Sequence, residues 1–275
     1  MGSADDSEPI FAPDAFAGTA TYYARYRVPY PRPLVQDLVR RAGITGNGSL
    51  LDLACGPGRV ALALAEHFRE ILAIDLEPEM VAVGKEEAVR QGIRHVRWQV
   101  GKAEELNSSP ARFELVTIGE AFHRLDRKLV AEKTLLWLQP GCCVSVMGAR
   151  SRASDWEPWQ HIVANLTRKR IGRAVSTGGV SPLPVPGGET EEVERTLRQS
   201  GFEAVESYTF AEPYNWTVET ILGNLFSLSV CSRRVLGRDA DDFAEELTAA
   251  LMAYDPAGQY HETVHFGYTL GRKPA

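Results

Sequence analysis

The stretch Leu50-Leu51-Asp52-Leu53-Ala54-Cys55-Gly56-Pro57-Gly58-Arg59 constrains this chain more than any other. A short apolar run, 49–53, has the length of a buried strand and carries Asp52 near its end. Two glycines follow, and then 60–68 reads as an Ala/Leu-rich helix. Gly56 and Gly58 lack a Cβ, so the main chain can turn tightly there and a ligand can approach it closely. The N–H groups at the start of the next helix suit polar or anionic ligand groups.

The rest of the chain continues that rhythm. Strands are expected at 71–76, 95–100, 113–118, 142–147, 202–210 and 261–270. Helices are expected at 79–90 after Pro78, at 125–138 and at 189–200, and an earlier one from Pro33 to Arg41 that stops at Gly43. Strands alternating with helices imply βαβ units and a mostly parallel sheet. Residues 1–20, polar and Ala/Gly-rich, read as a flexible amino-terminal arm, and 21–275 as a single domain. Two stretches break the alternation and read as helical cap insertions, at about 151–188 and 211–256. With 275 residues, 44% hydrophobic, there is material for one substantial α/β core and a cap.

The net charge of −6 comes without a long basic run, the short cluster Arg168, Lys169, Arg170 and Arg173 reading as a solvated helix face, so the footprint of nucleic-acid binding is missing and a small-molecule acceptor is expected. Residues 1–9 are acidic without an apolar core, unlike a signal peptide, and Asp6 stands where myristoylation needs Ser or Thr. No apolar run has membrane-spanning length, and four cysteines lack paired spacing, so a cytoplasmic protein is expected. Adjacent Cys142 and Cys143 should point to opposite sheet faces. His261 and His265 lie on a strand, where their spacing does not make a helical metal pair, and no metal is assigned.

Asp75 falls 17 residues after Gly58 at the end of the second strand, close to the spacing at which an acid meets ribose hydroxyls. Alone it is equally a helix N-terminal acid; with the glycine turn upstream the ligand role is favoured. Gly56-x-Gly58-x-x-Ala61 also satisfies the dinucleotide fingerprint, so an NAD(P)-dependent oxidoreductase is an alternative. Against it, Asp52 would repel a pyrophosphate and suits the ammonium end of an amino-acid cofactor. The Tyr-x-x-x-Lys spacing of short-chain dehydrogenases is absent from the sequence.

Together these segments resemble class I S-adenosyl-L-methionine (SAM)-dependent methyltransferases. Leu51–Arg59 is similar to motif I, with Ala54 in place of the first glycine, a change compatible with a negative φ. Ala73–Met80 resembles motif II, Gly101–Leu106 the G-D-A-E-x-L stretch along the adenine, Phe113–Asp126 the motif IV region, and Leu138–Cys142 the L-x-P-G-G turn. Tyr23, Tyr26, Arg27, Tyr30 and Pro31 resemble the opening of the ubiquinone-biosynthesis and trans-aconitate-methyltransferase-like branch, where the arginine lies near the cofactor carboxylate. The resemblance implies a Rossmann-like seven-stranded mostly parallel sheet with an antiparallel final strand. It implies SAM as cofactor, S-adenosylhomocysteine as product, and cofactor contacts from Tyr26, Arg27, Asp52, Ala54, Gly56, Gly58, Asp75, Leu76, Met80, Lys102, Ala103, Glu104 and Gly119. Lys102 stands where relatives carry an Asp for the adenine amino group; lysine cannot accept a hydrogen bond, so Glu104 or a backbone carbonyl must serve.

Methyl transfer from a sulfonium is an in-line displacement whose main demands are alignment and exclusion of water. A base is needed only if the acceptor loses a proton. His123 and Glu120, after the fourth strand, are the catalytic candidates, each with a bland alternative as a structural or solvated residue. Asp126 reads as a helix N-cap. Tyr22, Trp156, Trp159 and Trp216 are expected to wall the acceptor site. The expected reaction is methylation of an O, N or C atom of a small metabolite, possible in natural-product biosynthesis. A SAM-binding relative with another chemistry remains an alternative.

Overall fold

The computed structural model describes residues 14–150, 156–171 and 188–275. In chain order the elements are α1 (Ala20–Tyr26), α2 (Arg32–Ala42), β1 (Ser49–Leu53), α3 (Arg59–Ala63), β2 (Glu70–Asp75), α4 (Pro78–Arg90) and β3 (Val96–Val100). They continue with β4 (Phe113–Gly119), α5 (Arg127–Trp137), β5 (Leu138–Arg150), α6 (Pro158–Ile171), α7 (Gly188–Gln199) and β6 (Glu203–Trp216). The last are α8 (Val218–Phe226), α9 (Arg233–Leu236), α10 (Ala240–Tyr254) and β7 (Tyr260–Arg272). The seven strands form one sheet in the order β3-β2-β1-β4-β5-β7-β6. β1 to β5 pair in parallel, and β7 lies antiparallel between β5 and β6. The chain order reverses between β1 and β4, and a crevice at such a point, outside the carboxyl ends of the strands, is where open α/β sheets bind ligands.

Helices cover both faces, which is why the central strands are apolar runs rather than alternating ones. Leu50, Ile71 and Leu115 pack under Leu34 and Leu38 of α2 and Val60 of α3. Leu51, Val116 and Val144 pack on the opposite face against Val130 of α5 and Leu197 of α7. Cys143 joins the first cluster and Cys142 packs against the second, as strand alternation requires. Gly43 ends α2 at φ 73, and the Asp126 carboxylate accepts from the Leu129 N–H as the cap of α5.

Several bounds differ from expectation. The helix at 60–68 stops at Ala63 and continues as a 3₁₀ turn, Ala65–His67. β6 runs on to Trp216 and β7 starts at Tyr260, because these ends pair with each other (Tyr214 with Glu262, Trp216 with Tyr260). Pro213 is tolerated there because β6 is an edge strand. The two expected insertions meet on this extension. Trp159 and Val163 of α6, Ile221 and Leu225 of α8, and Phe243 and Leu247 of α10 form a third apolar cluster with Trp216 and Tyr260.

Of the expected arm, residues 1–13 lie outside the described residues, as does most of the Gly/Pro-rich stretch 178–188. Residues 14–19 form a turn held at both ends. The Gly18 N–H donates to Glu79 Oε2 at 2.7 Å, and Asp14 pairs with Arg234 at 2.7 Å. No helix among the described residues is long and apolar enough to cross a membrane.

Candidate active site

The turn after β1 is built from left-handed residues: Ala54 at φ 49, Gly56 at φ 55 and Gly58 at φ 80. The negative φ under which an alanine at position 54 would be unstrained is therefore not the one the turn adopts. A Cβ there costs roughly 1–2 kcal/mol of local strain, which glycine avoids. The surrounding bonds hold the turn in place: Cys55 N–H donates to Ile74 O at 3.0 Å, and Gly56 N–H to Asp75 Oδ2 at 2.7 Å. The other Asp75 oxygen accepts from Glu77 N–H at 2.9 Å. Asp75 thus ties the glycine turn to the end of β2, and each oxygen keeps a lone pair for a further donor. Burial raises its pKa and the two N–H donors oppose that rise.

Between this turn and the lid-like segment 14–26 lies a cavity of about 440 Å³, in the size range of small-ligand sites. Its floor carries Ala54, Gly56, Asp75 and Gly119, and its far end Leu76, Met80, Lys102, Ala103 and Glu104. Phe16, Tyr23, Glu120 and Arg124 close the opposite side. Leu76, 41% exposed, adds a large apolar side chain to the cavity lining. At Gly119 a Cβ would meet Val60 Cγ2 at 2.7 Å and Tyr30 Oη at 3.1 Å, so only glycine lets α3 and Tyr30 approach β4 this closely.

Asp52 is fully buried beside a recess of about 20 Å³ that it shares with Tyr23, Tyr30, Gly56 and Arg59. Its carboxylate accepts from Thr117 Oγ1 at 2.7 Å and from the Ala61 N–H of α3 at 3.1 Å. Desolvation outweighs these donors and pushes its pKa up to about 7.

The same corner holds a cluster of opposite charge. The two Glu120 oxygens lie 3.5 Å from Arg27 Nη1 and 3.5 Å from Arg59 Nη1. Glu120 itself is left-handed, at φ 53. Arg27 stacks over Tyr23 at 4.7 Å and Arg59 over Tyr30 at 5.0 Å. Arg59 also donates to Val28 O. Arg27 Nε is buried without a hydrogen-bond acceptor, an orphaned donor of the kind a bound anion satisfies.

The structure brings Arg27, Asp52, Ala54, Gly56, Asp75, Leu76, Met80, Lys102, Ala103, Glu104, Gly119 and Glu120 to the cavity, its recess or the adjoining charge cluster. It places others elsewhere. Gly58 sits under the Trp98 ring, 2.3 Å from where its Cβ would be, and shapes the turn rather than the cavity wall. The Tyr26 ring packs on Gly223 of α8, and its hydroxyl donates to Glu219 at 2.9 Å. His123, half-buried on the 3₁₀ turn Phe122–Arg124, is not among the residues lining the cavity. Tyr22 packs on Phe226, and Trp156 against His161. The Trp159 and Trp216 rings are cap core, with indole N–H groups donating to His261 O and Glu262 Oε2. Sequence reasoning missed Phe16, Tyr23, Tyr30, Arg59 and Arg124 as wall residues; the dense Tyr/Arg run at 22–30 was the signal for two of them. Among the described residues no three metal-ligating side chains converge.

A Rossmann-like sheet with an antiparallel β7, a glycine turn after β1 and an acid ending β2 define the class I methyltransferase architecture. Residues 50–141 match the family described as a methyltransferase domain. The chain is 29% identical to the ubiquinone/menaquinone biosynthesis C-methyltransferase UbiE of Rubrivivax gelatinosus over 65% of its own length and 68% of that protein's. It is 39% identical to an uncharacterized RNA methyltransferase of Halalkalibacterium halodurans, over 29% of this chain; the match spans only 17% of that relative's length. A putative type II methyltransferase from Anaeromyxobacter dehalogenans superposes with a TM-score of 0.62 at 21% identity, covering 90% of this chain and 98% of that one. The chain thus carries a match to a methyltransferase domain, over residues 50–141, within a Rossmann-like fold that it shares with solved methyltransferase structures.

Proposed function

We propose that the cavity binds SAM and that the protein transfers its methyl group to an O, N or C atom of a small-molecule metabolite. The observation that carries this reading is Asp75, held at the switch point by Gly56 and Glu77 with a lone pair free on each oxygen for the ribose hydroxyls. Arg27, with its orphaned Nε–H, fits a cofactor carboxylate, and Asp52 fits the neighbouring ammonium. Bound there, SAM supplies an electrophilic methyl on a sulfonium. The chain's part is alignment and dryness: Tyr23 and Phe16 cover the cleft, and Gly119 keeps β4 close beneath it.

A dinucleotide fits less well. The Ala61 N–H at the start of α3, which a pyrophosphate would use, is already taken by Asp52. His123 stays a candidate base only if a motion brings it to the cavity. Glu120 reaches the cavity, but its carboxylate is shared between two guanidinium groups and is better placed to orient them than to remove a proton. The thiols of Cys55, Cys142, Cys143 and Cys231 are unpaired, in keeping with a reducing compartment.

A thermal-shift panel tests the cofactor. S-adenosylhomocysteine at about 100 times its Kd adds roughly 2.7 kcal/mol of stability. NAD and NADP should add none, and Asp75→Asn should lose most of the shift. A shift from NAD alone would refute the reading. Transfer itself is read by incubating the protein with methyl-labelled SAM and a metabolite extract; label retained wholly on SAM would favour a non-methylating SAM protein.

A further inference from the structure

α1 is a seven-residue helix, shorter than a peptide needs to stay helical in water, so its place is set by what it packs on. The hydroxyl of Thr19, just before it, donates to Phe16 O at 2.7 Å instead of capping the helix. Two sides of α1 meet different parts of the molecule. Tyr22 and Tyr26, one turn apart, face the cap: Tyr22 meets the Phe226 ring edge-on at 5.5 Å, and the Tyr26 hydroxyl donates to Glu219 at 2.9 Å. Tyr23 and Arg27, also one turn apart, face the cofactor side. Tyr23 Cε1 lies 3.9 Å from where a Cβ on Gly56 would be, and Arg27 stacks on the Tyr23 ring with its buried Nε–H lacking an acceptor.

The cap side of this contact is firmly built. α8 opens with a capping box in which the Thr217 hydroxyl accepts the Thr220 N–H at 3.2 Å and the Thr220 hydroxyl accepts the Thr217 N–H at 2.8 Å. Ile221, Leu225 and Phe226 anchor the helix in the apolar cluster of the cap. Between them stands Gly223, and the Tyr26 ring fills the space a side chain would take: a Cβ there would lie 2.2 Å from Tyr26 Cγ and 2.3 Å from Cδ2. Glycine is a poor helix former, and what it allows at this position is the close approach of that ring. The overlap falls on the root of the ring, so turning the ring about its own axis does not relieve it; α1 or the whole Tyr26 side chain must move. We propose that Gly223 is a positioning residue for the cofactor, seating Tyr26 and through α1 setting Arg27 where the carboxylate of the cofactor's amino-acid end binds. The proposal rests on the cofactor reading above and gives the cap a part in cofactor affinity.

The test is isothermal titration of two ligands into the full chain. S-adenosylhomocysteine carries the amino-acid end; 5′-methylthioadenosine has the same nucleoside and a thioether without it. In Gly223→Ala the Kd for S-adenosylhomocysteine should rise about tenfold or more, the scale of one hydrogen bond to a charged group, while that for 5′-methylthioadenosine stays at its wild-type value. Tyr26→Ala, which empties the same seat from the other side, should show the same split, and it decides the matter if Gly223→Ala does not fold. Both act through one contact, so the double variant should lose less than the two losses combined. Trp216→Ala, elsewhere in the cap core, should leave both affinities near wild type. An unchanged Kd for S-adenosylhomocysteine in either folded single variant overturns the proposal. So does an equal loss for both ligands, the mark of a general loosening, or a loss in Trp216→Ala that matches Gly223→Ala. Absence of S-adenosylhomocysteine binding to the wild-type protein would instead overturn the cofactor reading on which it stands.

Discussion

Replacing Asp52 with Asn should change how the ligand-free protein's stability depends on pH. Asp52 is fully buried, and its folded-state pKa is raised from 3.8 to about 7. The protonated carboxyl is therefore the form the fold prefers. Its contribution is complete below the unfolded pKa and is lost as pH rises through the folded one. A rise of about three pKa units corresponds to about 4 kcal/mol between the acid limit and pH 8. About 3 kcal/mol of that falls between pH 5 and pH 8 by the same linkage. Asn is a conservative partner set: its oxygen can accept the Ala61 N–H and its amide can donate to Thr117 Oγ1. Other titrating groups act in both proteins, so most of their effect cancels in the difference. The assay is urea unfolding of both proteins at pH 5, 6, 7 and 8. Asp52→Asn should gain on the wild type by about 3 kcal/mol across that range. Parallel stability curves would mean that Asp52 is not a destabilising buried acid, and the desolvation argument would fail.

Other substitutions probe the turn and the cap. Ala54→Gly removes a left-handed alanine and should stabilise the protein by about 0.5–1 kcal/mol after the added chain entropy, read by urea denaturation. Gly58→Ala drives a Cβ to within 2.3 Å of the Trp98 ring and should destabilise by about 1–3 kcal/mol; unchanged thermal unfolding would show that Trp98 has room to move. Trp216→Ala should cost about 3–5 kcal/mol, because the ring is cap core, while changing the Kd for S-adenosylhomocysteine little; a large loss of affinity with intact stability would return Trp216 to the site.

The sequence by itself determined what depends on neighbours along the chain. Short apolar runs, Pro78 ahead of α4, Gly43 after α2 and the glycines after β1 are local signals, and they placed the central strands, the turn and Asp75 within a residue or two. Tertiary structure decided what depends on which surface faces which. On α1, Tyr22 and Tyr26 share one face and Tyr23 and Arg27 the adjacent one, as spacing by four dictates. The Tyr26 ring packs on Gly223 of α8, while Tyr23 lines the cavity and Arg27 joins the charge cluster beside it. The cap tryptophans became core because two insertions far apart in sequence meet on the extended β6–β7 pair. The sign of φ at Ala54 and the environment of Asp52 follow from contacts with β2, α3 and Thr117, which no local pattern encodes.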